Sequence, residues 1–240
     1  AGIDESDPST IPDDTNGFAA STRTIPIPEA SPMAWDAICE LSGGEDKIDE
    51  RTRFFSNGFN LNYNLGADEP WQGPSPDRPG WHKDGWFFRH FLDSPEQALL
   101  CLVVWRHIGP QSGGTFFAPD SVAPICRELL AHPEGLHHTY PFGKLVQNCE
   151  DFREMTAGTG DVIILHPYVL HARSQNPSGR IRFMNNKVVS LQEPMCFNRP
   201  DGDYNALEAS ILQALDIESL DFQITRERKR SGGFSRMDEE

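Results

Sequence analysis

Residues 160–182 read GDVIILHPYVLHARSQNPSGRIR and contain the pattern that best indicates the fold. An apolar run rich in β-branched residues follows Gly160, and such runs are typical of buried strands. The NPSG sequence at 176–179 predicts a turn, because Asn, Pro, Ser and Gly all favour turn conformations. A second apolar run begins after the turn. We therefore predict a strand, a turn and a returning strand, with histidine on the first strand and arginine on the second.

Similar short apolar runs, separated by turns, extend over most of the chain. Residues 98–108 (ALLCLVVWRHI) predict a buried strand. Residues 51–64 also predict β structure, and within them residues 59–64 alternate apolar and amide side chains as a half-buried strand does. Helical patterns are few, and they cover 33–42, 121–132 with Ser121 as the expected cap, and 206–215. Many strands with few helices predict a mainly β fold, a barrel or jelly roll with flanking α-helices.

The chain is expected to form one domain over residues 1–240, since a β-barrel of this length commonly does. Residues 1–32 are rich in Pro, Asp, Ser and Thr and predict an extended N-terminal arm. Residues 226–240 predict a charged, solvated tail. The core of the domain is placed at about residues 50–190, where the strand patterns and the motifs described below lie.

Composition excludes several classes of partner. A formal net charge of -15 repels phosphate backbones and anionic lipid, so nucleic acid and membranes are not expected as partners. No stretch of about 18 apolar residues predicts a spanning helix. The five cysteines include no Cys-x-x-Cys pair, which favours reduced thiols and a cytoplasmic location. The expected partner is a small-molecule substrate; the oligomeric state and the targeting of the native N-terminus stay open.

The histidine and the carboxylate of His82-Lys83-Asp84 form the first candidate metal motif. On an extended segment, residues i and i+2 point to the same side, so both side chains can reach one ion. Two histidines and one carboxylate form the facial triad of non-haem Fe(II) oxygenases. The motif is short and often arises by chance, so a solvent-exposed pair on a loop is the alternative.

A second histidine from a distant strand would complete the triad, and the strand–turn–strand segment offers two candidates. His166 and His171 have opposite parity on a continuous strand and should face opposite ways unless a bulge intervenes. Arg180 and Arg182 share one parity on the returning strand. A buried arginine beside such a metal site needs an anion, which the distal carboxylate of a keto-diacid would supply. The spacing to Arg182 favours His171, and His166 is the named rival.

Three collinear segments resemble the phytanoyl-CoA dioxygenase family of Fe(II)/2-oxoglutarate-dependent oxygenases over roughly residues 50–190. They are WHKDGWFF, LCLVVWRHIGPQSGGTFFAPDS and GDVIILHPYVLHARSQNPSGRIRF. The resemblance implies a double-stranded β-helix, a jelly-roll or cupin-like fold. It also implies Fe(II) bound by His82, Asp84 and His171, with 2-oxoglutarate and O2 as cosubstrates.

The same resemblance implies where 2-oxoglutarate binds. Arg182 would bind its C5 carboxylate, and it is preferred to Arg180 on this ground. The amide-bearing strand would contact its keto-acid end through Asn62, with Asn60 and Asn64 as alternatives in register. Thr115, which follows two glycines, is a further candidate contact.

The activity implied is oxidation of an unactivated C–H bond of a small organic molecule. Hydroxylation, desaturation and cyclisation are all compatible with it, in secondary-metabolite or amino-acid biosynthesis. Asp84 argues against a halogenase, which needs that coordination position for halide. Trp86, Phe88 and Tyr63 are candidates for the substrate wall, with core packing as the alternative. Two alternative functions are a non-catalytic jelly-roll module with a vestigial metal site and a cupin-like metalloenzyme that does not use 2-oxoglutarate.

Overall fold

A computed structural model of the chain describes residues 4, 7, 10, 18–20, 24–55 and 58–228. The strands are β1 (Phe18–Ala20), β2 (Ile25–Pro26), β3 (Phe54–Phe55), β4 (Gly58–Asn62), β5 (Leu99–Val104), β6 (Phe116–Ala118), β7 (Arg153–Glu154), β8 (Val162–Leu165), β9 (Leu170–Ala172) and β10 (Arg182–Val189). The α-helices are α1 (Ile27–Ala30), α2 (Pro32–Ser42), α3 (Val122–Ala131) and α4 (Ala206–Leu215). Short 3-10 helices lie at Glu45–Lys47, Glu50–Thr52, Pro119–Ser121 and Phe142–Asn148.

Two antiparallel sheets form the centre of the fold. The larger sheet has the strand order β1-β4-β10-β5-β8, and the smaller has the order β7-β6-β9. Leu102, Val104 and Met184 of the larger sheet pack in one apolar cluster with Phe117 of the smaller sheet. The two sheets therefore face each other, which confirms the prediction of a mainly β double-stranded β-helix with flanking helices.

Period-two alternation decides which side chains enter the space between the sheets. In the smaller sheet Phe117 pairs with His171, so these two side chains share a face. Phe117 packs against the inner cluster, whereas its neighbour Phe116 lies in the outer cluster together with Leu170 and Leu129 of α3. His171 consequently points between the sheets.

The segment 161–172 differs from the single strand that its apolar pattern suggested. β8 belongs to the larger sheet and β9 to the smaller, and the chain crosses between them at residues 166–169. Pro167 cannot donate to a ladder, and the turn is closed by the Val169 amide, which donates to the His166 carbonyl at 3.1 Å. The parity comparison between His166 and His171 therefore does not apply, because the two residues do not share a strand.

The end of the predicted N-terminal arm, residues 1–32, contains a helix that packs against the core. Residues 27–30 form α1, and Ile27 is fully buried in the core. The Ile27 amide donates to the Arg53 carbonyl at 2.9 Å, which anchors the start of the helix. The remainder of the predicted arm lies largely outside the described residues.

The predicted charged tail begins with an anchored residue. Arg228 donates to Asp93 at 2.5 Å, and its guanidinium carbon lies 4.8 Å from the centre of the Phe91 ring. The first residues of the tail are therefore held against the domain. Residues 229–240 lie outside the part of the chain that the structure describes.

Helix boundaries agree closely with the sequence pattern. The helix predicted at 206–215 is α4, and α2 ends at Gly43, whose φ of 83° provides the left-handed cap. Ser121 differs from its expected role because its side chain does not cap α3. Its hydroxyl donates to the Ala118 carbonyl at 2.6 Å and accepts from the Leu170 amide at 2.7 Å, so it joins α3 to β9. None of the helices in the described part of the chain has the length and apolar character that crossing a bilayer requires.

Glu208 at the start of α4 provides a test of stability. It is 1% exposed, accepts from the Cys196 amide at 2.8 Å and from Arg199 at 2.8 and 2.9 Å, and forms a capping box with Asn205. We expect Glu208→Ala to lower the free energy of unfolding by about 2–4 kcal/mol, because it leaves these donors without their acceptor. Urea denaturation measures the loss. The exposed Glu218→Ala control should change stability by less than about 0.5 kcal/mol.

Candidate metal centre

The loop that carries His82 is attached to the smaller sheet. The His82 amide donates to the His171 carbonyl and the His171 amide donates to the His82 carbonyl, both at 3.0 Å. This antiparallel bridge places the two histidine rings with their centroids 4.4 Å apart. The bridge therefore brings together two residues that are 89 positions apart in sequence.

Asp84 completes the cluster. Its Oδ1 lies 3.5 Å from His82 Nε2 and 3.6 Å from His171 Nε2, and one ligand atom from each of the three residues lies within 4.8 Å of the others. Donors about 2.1 Å from a common ion stand about 3–4 Å apart, so these separations fit one metal. The structure thus joins the three residues that the sequence proposed as a triad.

Two backbone carbonyls orient the histidine rings. His82 Nδ1 lies 2.7 Å from the Gly80 carbonyl, and His171 Nδ1 lies 3.1 Å from the Val169 carbonyl. A carbonyl only accepts, so each Nδ1 carries the proton and each Nε2 lone pair is turned towards Asp84. The Nε2 atom of His171 is buried and has no hydrogen-bond partner. A buried acceptor of this kind needs a ligand, and a divalent metal fits it.

Electrostatics keep the carboxylate ionised. Burial works to raise the pKa of Asp84, but its electrostatic interactions with His171 and His82 hold that pKa below its usual range. Burial works in the opposite direction on His82, whose pKa is nevertheless raised by Asp84. The cluster therefore offers one anionic oxygen and two imidazole nitrogens, a donor set suited to Fe(II).

The cluster is open to solvent on one side. His171 is 5% exposed, whereas the side chain of His82 is 48% exposed. Trp86, two positions after Asp84, is also 48% exposed. The side of the site next to His82 is therefore the accessible one.

Lys83 occupies the opposite side of the ligand loop. Its ammonium lies 2.9 Å from His90 Nδ1, donates to the Asp84 carbonyl at 3.2 Å and lies 5.4 Å from the centre of the Phe88 ring. Burial lowers the pKa of Lys83 to about 7. Phe88 is 1% exposed, so the structure places this candidate substrate residue in the packed interior. Tyr63, another candidate, is 5% exposed.

Arg182 and Asn62 face each other on neighbouring strands, β10 and β4. Arg182 is 4% exposed, and its Nε atom has no hydrogen-bond partner. Burial, with a smaller contribution from Arg173, lowers its pKa to about 10, so it stays charged at neutral pH. The side-chain Nδ2 of Asn62 donates to the Ser174 carbonyl, and its Oδ1 accepts from the backbone N–H of Leu65, both at 3.1 Å. The second N–H of the side-chain amide is left for a ligand.

The side chain of Arg182 points into the same space between the sheets as the side chain of His171. It shares a face of β10 with Met184, which lies in the inner cluster between the sheets, and His171 enters that space from the opposite sheet. Gly113 permits the close packing here: its φ is 78°, and a Cβ would lie 3.0 Å from Asn62 Nδ2 and 3.3 Å from Arg182 Cβ. Thr115 is 8% exposed and directly precedes β6.

The rival histidine lies elsewhere. His166 is in the turn between β8 and β9, where its Nδ1 accepts from the Tyr168 amide at 3.1 Å. Burial, with a smaller effect of Lys83, lowers its pKa to about 3. Among the described residues it is not part of the metal-type cluster, which contains His171 instead.

Sequence reasoning missed three contributors to the site. The Gly80 and Val169 carbonyls act through the backbone, which sequence patterns do not show. The third is Arg173, which is exposed and whose positive charge acts to lower the pKa of both His82 and Arg182. Its position two residues after His171 was the available signal.

Fold and site together define a jelly-roll metalloprotein with a facial triad of two histidines and one aspartate. The family profile described as Phytanoyl-CoA dioxygenase (PhyH) matches residues 30–184, more than half of the chain. The chain belongs to this family. A search of curated protein sequences found no match.

Solved structures whose backbone is similar to that of this chain include enzymes described with alpha ketoglutarate (2-oxoglutarate). The epimerase SnoN, in complex with Fe3+, alpha ketoglutarate and nogalamycin RO, is 17% identical, with 92% of this chain and 77% of that chain covered and a TM-score of 0.47. EctD from S. alaskensis, with 2-oxoglutarate and 5-hydroxyectoine, is 18% identical, with coverages of 78% and 63% and a TM-score of 0.37. A second SnoN structure, described as the alpha ketoglutarate dependent epimerase from nogalamycin biosynthesis, is 18% identical, with 68% of this chain covered and a TM-score of 0.42. The match spans only 55% of the length of that SnoN chain.

Proposed function

We propose that the protein is an Fe(II)/2-oxoglutarate-dependent oxygenase that oxidises a C–H bond of a small organic molecule. The observation that carries the proposal is the triad of His82, Asp84 and His171, with the buried Nε2 of His171 lacking any other partner. Family membership agrees with this function.

The three triad residues would hold the metal, and two backbone carbonyls would orient the histidine ligands. His82, Asp84 and His171 would hold Fe(II), which would also bind 2-oxoglutarate and O2. When bound, iron and 2-oxoglutarate would supply the oxidising chemistry: O2 is the oxidant, the keto-acid is converted to succinate and CO2, and the substrate is oxidised. The carbonyls of Gly80 and Val169 keep both imidazoles in the tautomer that presents Nε2 to the metal.

Arg182 supports the choice of cosubstrate. A buried guanidinium is costly without an anion, and its planar fork matches a carboxylate. Arg182 would therefore bind the C5 carboxylate of 2-oxoglutarate, with Asn62 and Thr115 as further contacts. Trp86 would line the substrate side, where the site is open. Within this proposal, the reaction is hydroxylation, desaturation or cyclisation in the tailoring of a small metabolite.

Anaerobic spectroscopy tests the proposal. We expect the Fe(II)-loaded protein to develop a visible metal-to-ligand charge-transfer band on addition of 2-oxoglutarate, because the keto-acid chelates the metal. On admission of O2, succinate should form faster with a substrate from a metabolite panel than without one. Absence of the band, or succinate formation that no panel member accelerates, would contradict the proposal.

The same measurements separate the two alternative functions. A vestigial jelly-roll module would bind Fe(II) weakly and give no band with 2-oxoglutarate. A cupin-like metalloenzyme would bind the metal and retain its activity in the absence of 2-oxoglutarate. The buried Arg182 favours neither alternative, because neither provides the anion that its charge requires.

A further inference from the structure

Asp84 differs from the two histidine ligands in how its side chain is held. The Nδ1 atoms of His82 and His171 each hydrogen-bond to a backbone carbonyl. Within the described part of the chain, the Asp84 carboxylate has polar contacts only with these two histidines, at 3.5 and 3.6 Å. Carboxylates that bind metals are normally hydrogen-bonded by outer groups that orient them. The orientation of Asp84 therefore depends on how its backbone is held.

Lys83 holds the backbone of Asp84 from the side that faces away from the metal cluster. It is 9% exposed, and its Nζ donates to the Asp84 carbonyl at 3.2 Å and to His90 Nδ1 at 2.9 Å. Three aromatic rings have their centres 5.4 to 5.8 Å from this nitrogen, those of Phe88, Phe142 and Tyr168. The far end of the long side chain is thus fixed, and its hydrogen bond fixes the carbonyl of Asp84.

His90 supports the residue that follows Asp84 as well as the one that precedes it. Gly85 has a φ of 122°, and a Cβ there would lie 2.4 Å from His90 Cε1, so the imidazole packs directly against the Gly85 backbone. His90 is 1% exposed, and its own backbone is bridged to Leu136 by two hydrogen bonds of 2.8 Å. The ring is therefore a fixed support that contacts residue 83 through Nδ1 and residue 85 through Cε1.

We propose that Lys83 and His90 are positioning residues for the metal ligand Asp84. They fix the backbone on both sides of it, so that its carboxylate faces the Nε2 atoms of both histidines. Their polar atoms bind each other and the backbone, so both residues act through Asp84 rather than on the metal. The inference rests on the metal centre of the proposed function and adds the support that this centre requires.

Titration of the metal-free chain with Co(II), followed by visible absorption, tests the inference. We expect Lys83→Met and His90→Leu each to weaken Co(II) binding by about 10–100-fold, the usual cost of losing an outer partner of a metal ligand. The absorption spectrum should change as well, because a displaced carboxylate alters the coordination of the metal. His90→Asn should bind Co(II) within about threefold of wild type, since its Oδ1 replaces Nδ1 as the acceptor for Lys83.

A double variant shows whether the two residues act as one unit. In Lys83→Met/His90→Leu the loss of Co(II) affinity should exceed that of the weaker-binding single variant by no more than about threefold. Each single change already removes the same support, whereas independent contributions would multiply.

Two controls separate positioning from a general loss of stability. Ile211→Ala removes a fully buried side chain from α4, so it should lower the urea midpoint but leave the Co(II) affinity and spectrum unchanged. Lys144→Met changes an exposed lysine and should alter neither property.

The inference is overturned if folded Lys83→Met keeps the wild-type Co(II) affinity and spectrum, or if the two losses multiply in the double variant. It is also overturned if His90→Asn binds as weakly as His90→Leu, or if Ile211→Ala loses as much affinity as Lys83→Met. Where His90→Leu does not fold, Lys83→Met decides alone. A wild type that binds no Co(II) would overturn the metal centre and this inference together. Co(II) binding without a 2-oxoglutarate band on the Fe(II) protein would overturn the proposed function and leave this inference standing.

Discussion

Replacing His171 with alanine is expected to weaken divalent-metal binding by at least about 100-fold and to abolish turnover. Changes to groups that only orient a metal ligand cost 10–100-fold in typical sites, so loss of a ligand should cost more. The remaining His82 and Asp84 offer two donors, of which His82 is half exposed to solvent. Titration with Co(II), followed by its visible absorption, measures the affinity and reports the ligand environment.

His166→Ala is the matched control because it removes an equivalent ring from the same segment. His166 contacts the Tyr168 amide in the turn between β8 and β9, so its loss should reduce stability but leave Co(II) affinity within about threefold. The exposed His107→Ala variant should change neither property. A folded His166→Ala protein that fails to bind Co(II), or a His171→Ala protein that binds it normally, would contradict the assignment of the triad.

Local chemistry explains why much of the fold was predictable. The α4 boundaries at 206 and 215 and the end of α2 at Gly43 follow from apolar periodicity and from a glycine that adopts positive φ. The His-x-Asp loop and the strands that carry His171 and Arg182 also depend on short-range patterns. These features required no knowledge of distant contacts.

Features that depend on distant contacts were not predictable in the same way. The apolar run 161–172 gives no sign that β8 and β9 belong to different sheets, because strands of both sheets have the same buried composition. From the sequence, Ile27 is predicted to be part of a Pro-rich arm. In the structure it is buried in the core, because the preceding strand β2 pairs with β3. The orienting carbonyl of Gly80 is likewise set by the path of the backbone rather than by the side chain.

The second large effect is expected for Arg182→Gln, which should weaken 2-oxoglutarate binding by about 100-fold or more while Fe(II) binding is retained. Truncating one partner of a buried charge pair costs about 2–5 kcal/mol, mostly because the other charge is left buried and unpaired. Glutamine keeps hydrogen-bonding capacity but removes the charge and the planar fork. The charge-transfer band, titrated with 2-oxoglutarate under anaerobic conditions, measures the change.

Arg180→Gln provides the comparison, since Arg180 lies two positions earlier and is exposed. Its guanidinium is outside the space between the sheets that Arg182 enters, so 2-oxoglutarate affinity should stay within about twofold. Arg182→Lys should recover only part of the loss, because an ammonium lacks the bidentate geometry. Equal losses in the Arg180 and Arg182 variants would contradict the assignment. Unchanged turnover in Arg182→Gln would instead favour a metalloenzyme that does not use 2-oxoglutarate, because no keto-acid carboxylate would then need a buried cation.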